Sequence, residues 1–230
     1  LEDSTARRAA RRPRRRPERQ QVLLRRGLAL GGGLLLLILI VLGVKGCLDA
    51  RKTRALSDYA RNVTQIVEET DQTSKQFFGK LSEPGSLSVT EFVNEVNADR
   101  SAMDNYASRV DGLSAPGDMS DPQNALELVY RLRSTAMDEI AEQMSTALGD
   151  VGAQKAAATI TRQMQKLLAG DVVYATVVRP GINDVLDANG IEGSDVPPST
   201  YLQGGTEWLD EATVGAALGS GNGATAAATS

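Results

Sequence analysis

The chain has 230 residues, enough for one sizeable domain with appendages. It contains no histidine and one cysteine, Cys47, which excludes Ser-His-Asp and Cys-His catalysis, histidine metal ligation, an intrachain disulfide and a cysteine-rich zinc site. The net charge of −4 conceals two opposite segments: residues 1–26 hold ten arginines against three acids, and residues 27–230 hold 15 basic residues against 26 acids.

Residues 1–26 are rich in Arg, and Pro13 and Pro17 break any helix there. Such a segment buries no core and is expected to be a disordered cytoplasmic arm. Its charge sets topology and attracts anionic lipid headgroups, at about 1 kcal/mol per arginine near the surface. Nucleic acid is a poor fit, because the arm has no aromatic residue to stack on bases. The chain starts at Leu1 rather than Met, which leaves a truncated N-terminus open.

Gly27 to Val44 is an uninterrupted uncharged run with Leu34-Leu35-Leu36-Leu37-Ile38-Leu39-Ile40-Val41-Leu42 at its centre. As a helix rising 1.5 Å per residue it spans roughly 27 Å, close to the hydrocarbon thickness of about 30 Å. Residues 27–46 therefore predict one transmembrane helix. The arginines before it outnumber Lys45, Arg51, Lys52 and Arg54 after it, so the N-terminus is expected in the cytoplasm and the rest outside. A cleaved signal peptide is the weaker reading, since no A-x-A site follows directly. Val44-Lys45-Gly46-Cys47 resembles a lipobox, making a lipoprotein anchored at Cys47 an alternative, although Lys45 departs from that pattern. Arg25-Arg26 resembles a twin-arginine signal only weakly. Gly27 and Gly31 match the GxxxG spacing of paired membrane helices, at the cytoplasmic end of the run.

Residues 47–218 predict an extracytoplasmic α-helical domain. Leu48, Leu56, Tyr59, Val63, Ile66, Thr70, Phe77 and Leu81 recur at spacings near three and four, a helix and possible stalk or coiled coil that ends at Pro84-Gly85. Ser88 with Glu91 is a capping-box pattern opening a second helix, whose apolar face is Phe92, Val93, Val96, Met103, Tyr106, Val110 and Leu113. Asp121 as N-cap and Pro122 at the first position open a third, faced by Leu126, Val129, Leu132, Met137, Ile140, Met144 and Leu148. A fourth runs from Ala153 to Ala169 on Ile160, Met164, Leu167 and Leu168. Val172 to Val178 has strand-like composition, but an isolated strand is unstable, so it reads as a helical segment ending at Arg179-Pro180. Asn183 to Ala188 adds a short helix, a loop follows, and Trp208 docks before a last helix after Asp210. Residues 219–230 read as a disordered tail.

The predicted fold is all-α: one N-terminal transmembrane helix followed by an antiparallel bundle of about four long helices. No Walker loop, dinucleotide fingerprint or nucleophile elbow is present. Asp187 to Asp195 is acidic and glycine-bearing but fails the EF-hand register and reads as a surface loop. Glu68, Glu69, Asp138, Glu139 and Glu142 read as solvated faces rather than an acid/base pair. Asn62-Val63-Thr64 matches the glycosylation triplet within a helix. Tyr59, Tyr106, Tyr130 and Tyr174 read as core packing with hydroxyls at the edge. No catalytic residue, metal ligand or cofactor site is expected.

In its Ala, Arg and Gly content and its export segment the chain resembles small bacterial envelope proteins as a class. The reading is a single-pass plasma-membrane, non-enzymatic interaction or scaffolding module, whose partner is an envelope protein or a second copy. The alternatives are a ligand-binding or sensory domain acting through a partner, which the bundle on a membrane helix resembles, and a carboxylate-based envelope enzyme.

Overall fold

The structure, a computed structural model, describes residues 19–83 and 87–219, with the side chains of 19–30, 38, 40–44, 46 and 47 left aside. Every regular element among the described residues is helical: α1 (Arg19–Ser82), α2 (Val89–Asp111), α3 (Ser120–Ala147), α4 (Ala153–Val173), α5 (Arg179–Ala188) and α6 (Glu211–Ala217). The chain divides into two compact units, Leu1–Ala50 and Arg51–Ser230, each described by itself.

In the first unit the backbone is helical from Arg19, so residues 19–26, assigned above to the arm, belong to α1. Residues 1–18 of the expected arm lie outside the described residues. Leu34, Leu35, Leu36, Leu37 and Leu39 are 59–63% exposed. Among the described residues no helix is long and apolar enough to cross a membrane. Several members of the uncharged run, including 38 and 40–44, have side chains outside that description.

The second unit is built on a seven-residue repeat in the later part of α1. Leu56, Val63, Thr70 and Phe77 are buried at spacings of seven, with Tyr59, Ala60, Ile66, Val67, Thr73, Ser74 and Leu81 between them. A strict 3.5-residue period keeps one seam facing its neighbours along the helix. Leu48 does not belong to that seam: it is 58% exposed, about two turns before Leu56.

Helix α2 starts as predicted. The Ser88 hydroxyl accepts from the Glu91 amide, and the Glu91 carboxylate accepts from the Ser88 amide at 2.8 Å. Helix α3 starts earlier than Asp121 suggests. A 3₁₀ turn over Gly117–Met119 feeds directly into Ser120, and no side chain caps the end. Pro122 then sits inside the first turn, where its missing amide is no loss.

Side-chain bonds give the register. Thr73 meets Tyr106 and Lys80 meets Glu95 and Asp99, so α1 and α2 are antiparallel. Gln123 meets Val110, and Ser134 meets Asp104, so α2 and α3 are antiparallel. Gly152 lies against Thr146, and Gly170 lies against Val129 and Arg133, so α3 and α4 are antiparallel too. Ala136, Ala147, Ala156 and Ala157 are buried on these two helices, and such small side chains let backbones approach closely. The result is an up-down-up-down bundle of α1 (from Arg51), α2, α3 and α4.

Helix α4 does not stop at Ala169, and the following segment does not end at Pro180. Tyr174–Val178 forms a π turn, in which the Arg179 amide donates to the Tyr174 carbonyl five residues back. The helical reading of 172–178 therefore holds, but the chain passes straight into α5. A π turn widens the helix by one residue, and it places Pro180 in a new first turn where proline is tolerated.

Helix α5 ends in a Schellman motif. The Ile191 amide donates to Leu186 and the Gly190 amide to Asp187, with Gly190 at φ 66°. Ile191 is buried in the same core as Leu186, the apolar contact that accompanies this cap. The chain then runs extended to Leu202, makes a 3₁₀ turn over Gly205–Leu209, and enters α6 through Asp210, whose carboxylate accepts from Ala212 and Thr213. Trp208 docks as expected, its ring 5.6 Å from that of Phe78. Of the expected tail, residues 220–230 lie outside the described residues.

Removing the α2 cap tests how far local chemistry sets this fold. Ser88→Ala should lower stability by about 1 kcal/mol, read by chemical denaturation, with the far-ultraviolet helix signal of the folded protein unchanged.

Candidate functional site

The densest unusual chemistry lies in the middle of the bundle, where each helix carries a polar residue on its core-facing side. Helix α1 supplies Thr70, Thr73 and Ser74, α2 supplies Asp99, α3 supplies Arg133 and α4 supplies Asp171, all buried. Arg133 is the extreme case, with a side chain that is 0% exposed.

A buried guanidinium is tolerated only when its charge and donors are answered. Arg133 Nη2 donates to Asp171 Oδ1 at 2.9 Å. The guanidinium carbon also lies 5.5 Å from the ring centres of Tyr130 and Tyr201 and 5.8 Å from that of Tyr174. Three electron-rich faces and one carboxylate thus surround one cation. Gly170 packs beside it: a Cβ there would lie 3.7 Å from Arg133 Cγ, an ordinary contact distance.

Asp171 is held from the other side by the backbone. Tyr201 N–H donates to Oδ1 and Leu202 N–H to Oδ2, each at 2.8 Å. Ser199 Oγ donates to Asp71 Oδ1 at 2.6 Å, and Tyr130 Oη lies 3.0 Å from Thr70 Oγ1. Three of the five buried side-chain atoms that lack a hydrogen-bond partner among the described residues belong to this cluster: Arg133 Nε, Arg133 Nη1 and Tyr201 Oη.

Burial alone would lower Arg133, but Tyr130 and Asp171 outweigh it and hold the guanidinium above its ordinary value. Burial pushes the Tyr130, Tyr174 and Tyr201 hydroxyls well above the usual phenol range. At neutral pH the cluster therefore holds one fixed cation faced by three neutral phenols. Burial also raises Asp71, against the pull of Ser199 and Arg133. Nothing in this set is an activated nucleophile or an exposed base. Its evident work is to fix which residues of four helices and the C-terminal segment stand opposite one another.

The groups singled out in the sequence are dispersed. Glu68 and Glu142 are exposed, while Glu69 is engaged by Arg109 and Asp138 by Arg100. Asn62 is exposed on α1, and the segment Asp187 to Asp195 is largely exposed apart from Ile191. The side chain of Cys47 lies outside the described residues, as do those of Gly27 and the glycines beyond Gly219. Among the described residues no group of three His, Cys, Asp or Glu is placed to hold a metal ion. Tyr59, Tyr130 and Tyr174 are core residues as expected, while Tyr106 is only half-buried.

The surface offers shallow grooves. One of about 220 Å³ is lined by Ser57, Arg61, Thr64, Gly193, Ser194 and Asp195. Another of about 270 Å³ lies between Lys75, Phe78 and Gly79 of α1 and Glu207 and Trp208. Neither gathers a set of convergent catalytic groups. Comparison with protein-family models, with curated proteins and with solved structures finds no match to the chain.

Arg133 and Asp171 were not singled out in the sequence, and Leu132 was placed on the core face in Arg133's stead. Leu132 is in fact half-buried, one position off the seam. The available signal was the gap: Val129 and Ala136-Met137 bracket position 133 at the spacing of buried helix positions.

Two predictions follow from the electrostatics. Asp171→Ala strands the buried cation and two amides and should cost about 3–5 kcal/mol. Arg133→Met leaves Asp171 its two backbone donors and fills the space, so it should cost clearly less, with both read by urea unfolding. The second concerns Glu69, which the Arg109 hydrogen bond holds below its ordinary value of 4.5. A lowered folded pKa adds stability above the unfolded pKa, which is lost as pH falls through the folded one. Glu69→Gln should therefore be less stable than wild type at neutral pH, with the difference shrinking below about pH 4.5 in thermal melts.

Proposed function

We propose that the protein is a single-pass, membrane-anchored, non-enzymatic helical interaction module of the cell envelope, with its N-terminus in the cytoplasm and its bundle outside. The observation that carries the anchor is the exposure of Leu34, Leu35, Leu36, Leu37 and Leu39, each about 60% accessible and left uncovered by the described residues. Successive helix positions step by 100°, so these five leucines point in all directions around α1. A partner helix covers one stripe, whereas a helix apolar on every side calls for an apolar medium on every side. The uncharged run Gly27 to Val44 has the length of a bilayer core.

Orientation rests on the ten arginines that precede the run, which favour the cytoplasmic side and its anionic lipids. The interaction role is supported by the character of the second unit. Its core is sealed by a polar layer with no activated group, its grooves are shallow, and its outer faces are charged. Such a domain presents surface rather than chemistry, to an envelope protein or a second copy.

The anchor is tested by fractionation. The full chain should sediment with membranes and resist alkaline carbonate. Leu36→Arg with Leu39→Arg, at about 3 kcal/mol per arginine near the bilayer centre, should move it to the soluble fraction. Carbonate extraction of the wild type would sink the anchor. Topology is read with a membrane-impermeant maleimide on Cys47, with Cys47→Ser as the control. Labelling of intact cells is the expected result. Labelling only after permeabilisation would invert the orientation. No labelling in either state, with added lipid mass, would replace the spanning helix by a lipid on Cys47.

A further inference from the structure

We infer that residues 196–202 form a strap that opens on its own, ahead of the bundle it closes. Pro197 and Pro198 lack amides and keep this segment out of any helix. It lies extended between the Schellman cap of α5 and the 3₁₀ turn that carries Trp208. Its attachments are side-chain bonds to four different elements rather than a backbone ladder. Val196 N–H donates to Asn183 Oδ1 at 2.9 Å, and its carbonyl accepts from Arg179 Nε at 3.1 Å. The Pro197 carbonyl accepts from Tyr174 Oη at 2.7 Å, and Ser199 donates to Asp71. The Tyr201 carbonyl accepts from Ser74 Oγ, and the amides of Tyr201 and Leu202 end on Asp171.

Only Val196, Tyr201 and Leu202 of its seven side chains join the apolar core. Three of the five buried side-chain atoms without a partner among the described residues lie at this seam. Tyr201 Oη is buried without a partner, and so are Arg133 Nε and Nη1 beneath it. A buried unpaired donor raises the free energy of the closed state, and opening lets water answer it. Segments with few apolar contacts and costly polar burial occupy the low end of a protein's range of local stabilities. The strap has three core side chains, a buried unpartnered hydroxyl and no backbone ladder, whereas the α3 and α4 backbones are bonded within their own helices. Opening would bring Arg133, Asp171 and the Tyr174 hydroxyl to solvent together, so the closed strap covers a preformed charged and aromatic surface.

The test is amide exchange on the full chain in detergent micelles, read by mass spectrometry at peptides covering 196–202 and the cores of α3 and α4. The strap amides should exchange on the order of a hundredfold faster than those cores, without global unfolding. Tyr201→Phe keeps the ring and removes the unpartnered hydroxyl. It should slow strap exchange by about tenfold while α3 and α4 keep their rates. A strap that exchanges only at the core rate overturns the inference. So does a Tyr201→Phe variant whose strap exchanges no more slowly than the wild type.

Discussion

The second unit depends on the burial of one guanidinium. Arginine cannot shed its charge in a protein, so a fully covered Arg133 obliges its surroundings to supply compensation. The requirement propagates outward. Asp171 must stand opposite on α4. Tyr130, Tyr174 and Tyr201 must turn their faces inward. Asp171, having one oxygen shared with arginine, draws in two amides from a segment about thirty residues later. A core of leucines and alanines alone would permit helices to slide by a turn at modest cost. A single cation with fixed partners makes such a slip leave a charge unanswered. Registration is the best-attested use of a buried ion pair, and this one registers α3, α4 and the C-terminal segment at once.

Much of the architecture was legible because local signals agree with one another. The capping box at Ser88 and the 3–4 spacing of Phe92, Val96, Met103 and Val110 point to the same helix. Where two local signals competed, the boundary moved. Asp121 and Pro122 look like a helix start, yet the preceding 3₁₀ turn already aligns the backbone, and α3 begins at Ser120. Pro180 looks like a stop, yet the π turn before it supplies a fresh first turn. Neither outcome is visible in propensities, because each depends on how the following segment packs.

The polar layer was not legible for a different reason. Reading a helix for its apolar stripe discards polar residues that fall on the stripe, and here those residues carry the specificity. Thr70, Ser74, Asp99, Arg133 and Asp171 all occupy positions where the spacing of neighbours calls for an apolar side chain. Taken singly, each looks like tolerance at the edge of a core. That they stand at compatible levels on neighbouring helices emerges only once the antiparallel register is known, because residues such as 70 and 130 or 133 and 171 are far apart in sequence. Tyr201 is harder still, since it lies in a stretch whose prolines and glycines read as loop.

Helix α1 shows how pattern separates two environments along one element. Around residues 34–39 leucine occupies every direction and none of the described residues covers it. From Leu56 onward apolar side chains retreat to a seam repeating every seven residues, and charges fill the remaining faces. Both stretches are helical, so helix propensity does not distinguish them; the angular distribution of hydrophobic surface does. Leu48 lies between the two patterns and is exposed, which is the expected behaviour of a residue that belongs to neither the seam nor the all-round run. A uniform apolar surface can be satisfied by a fluid solvent without fixed partners, which is what lipid provides. A seam interrupted by Thr70 and Ser74 demands particular partners at particular heights. The sequence thus changes from specifying a medium to specifying a register, and the fully buried Arg133 lies on the side where register matters.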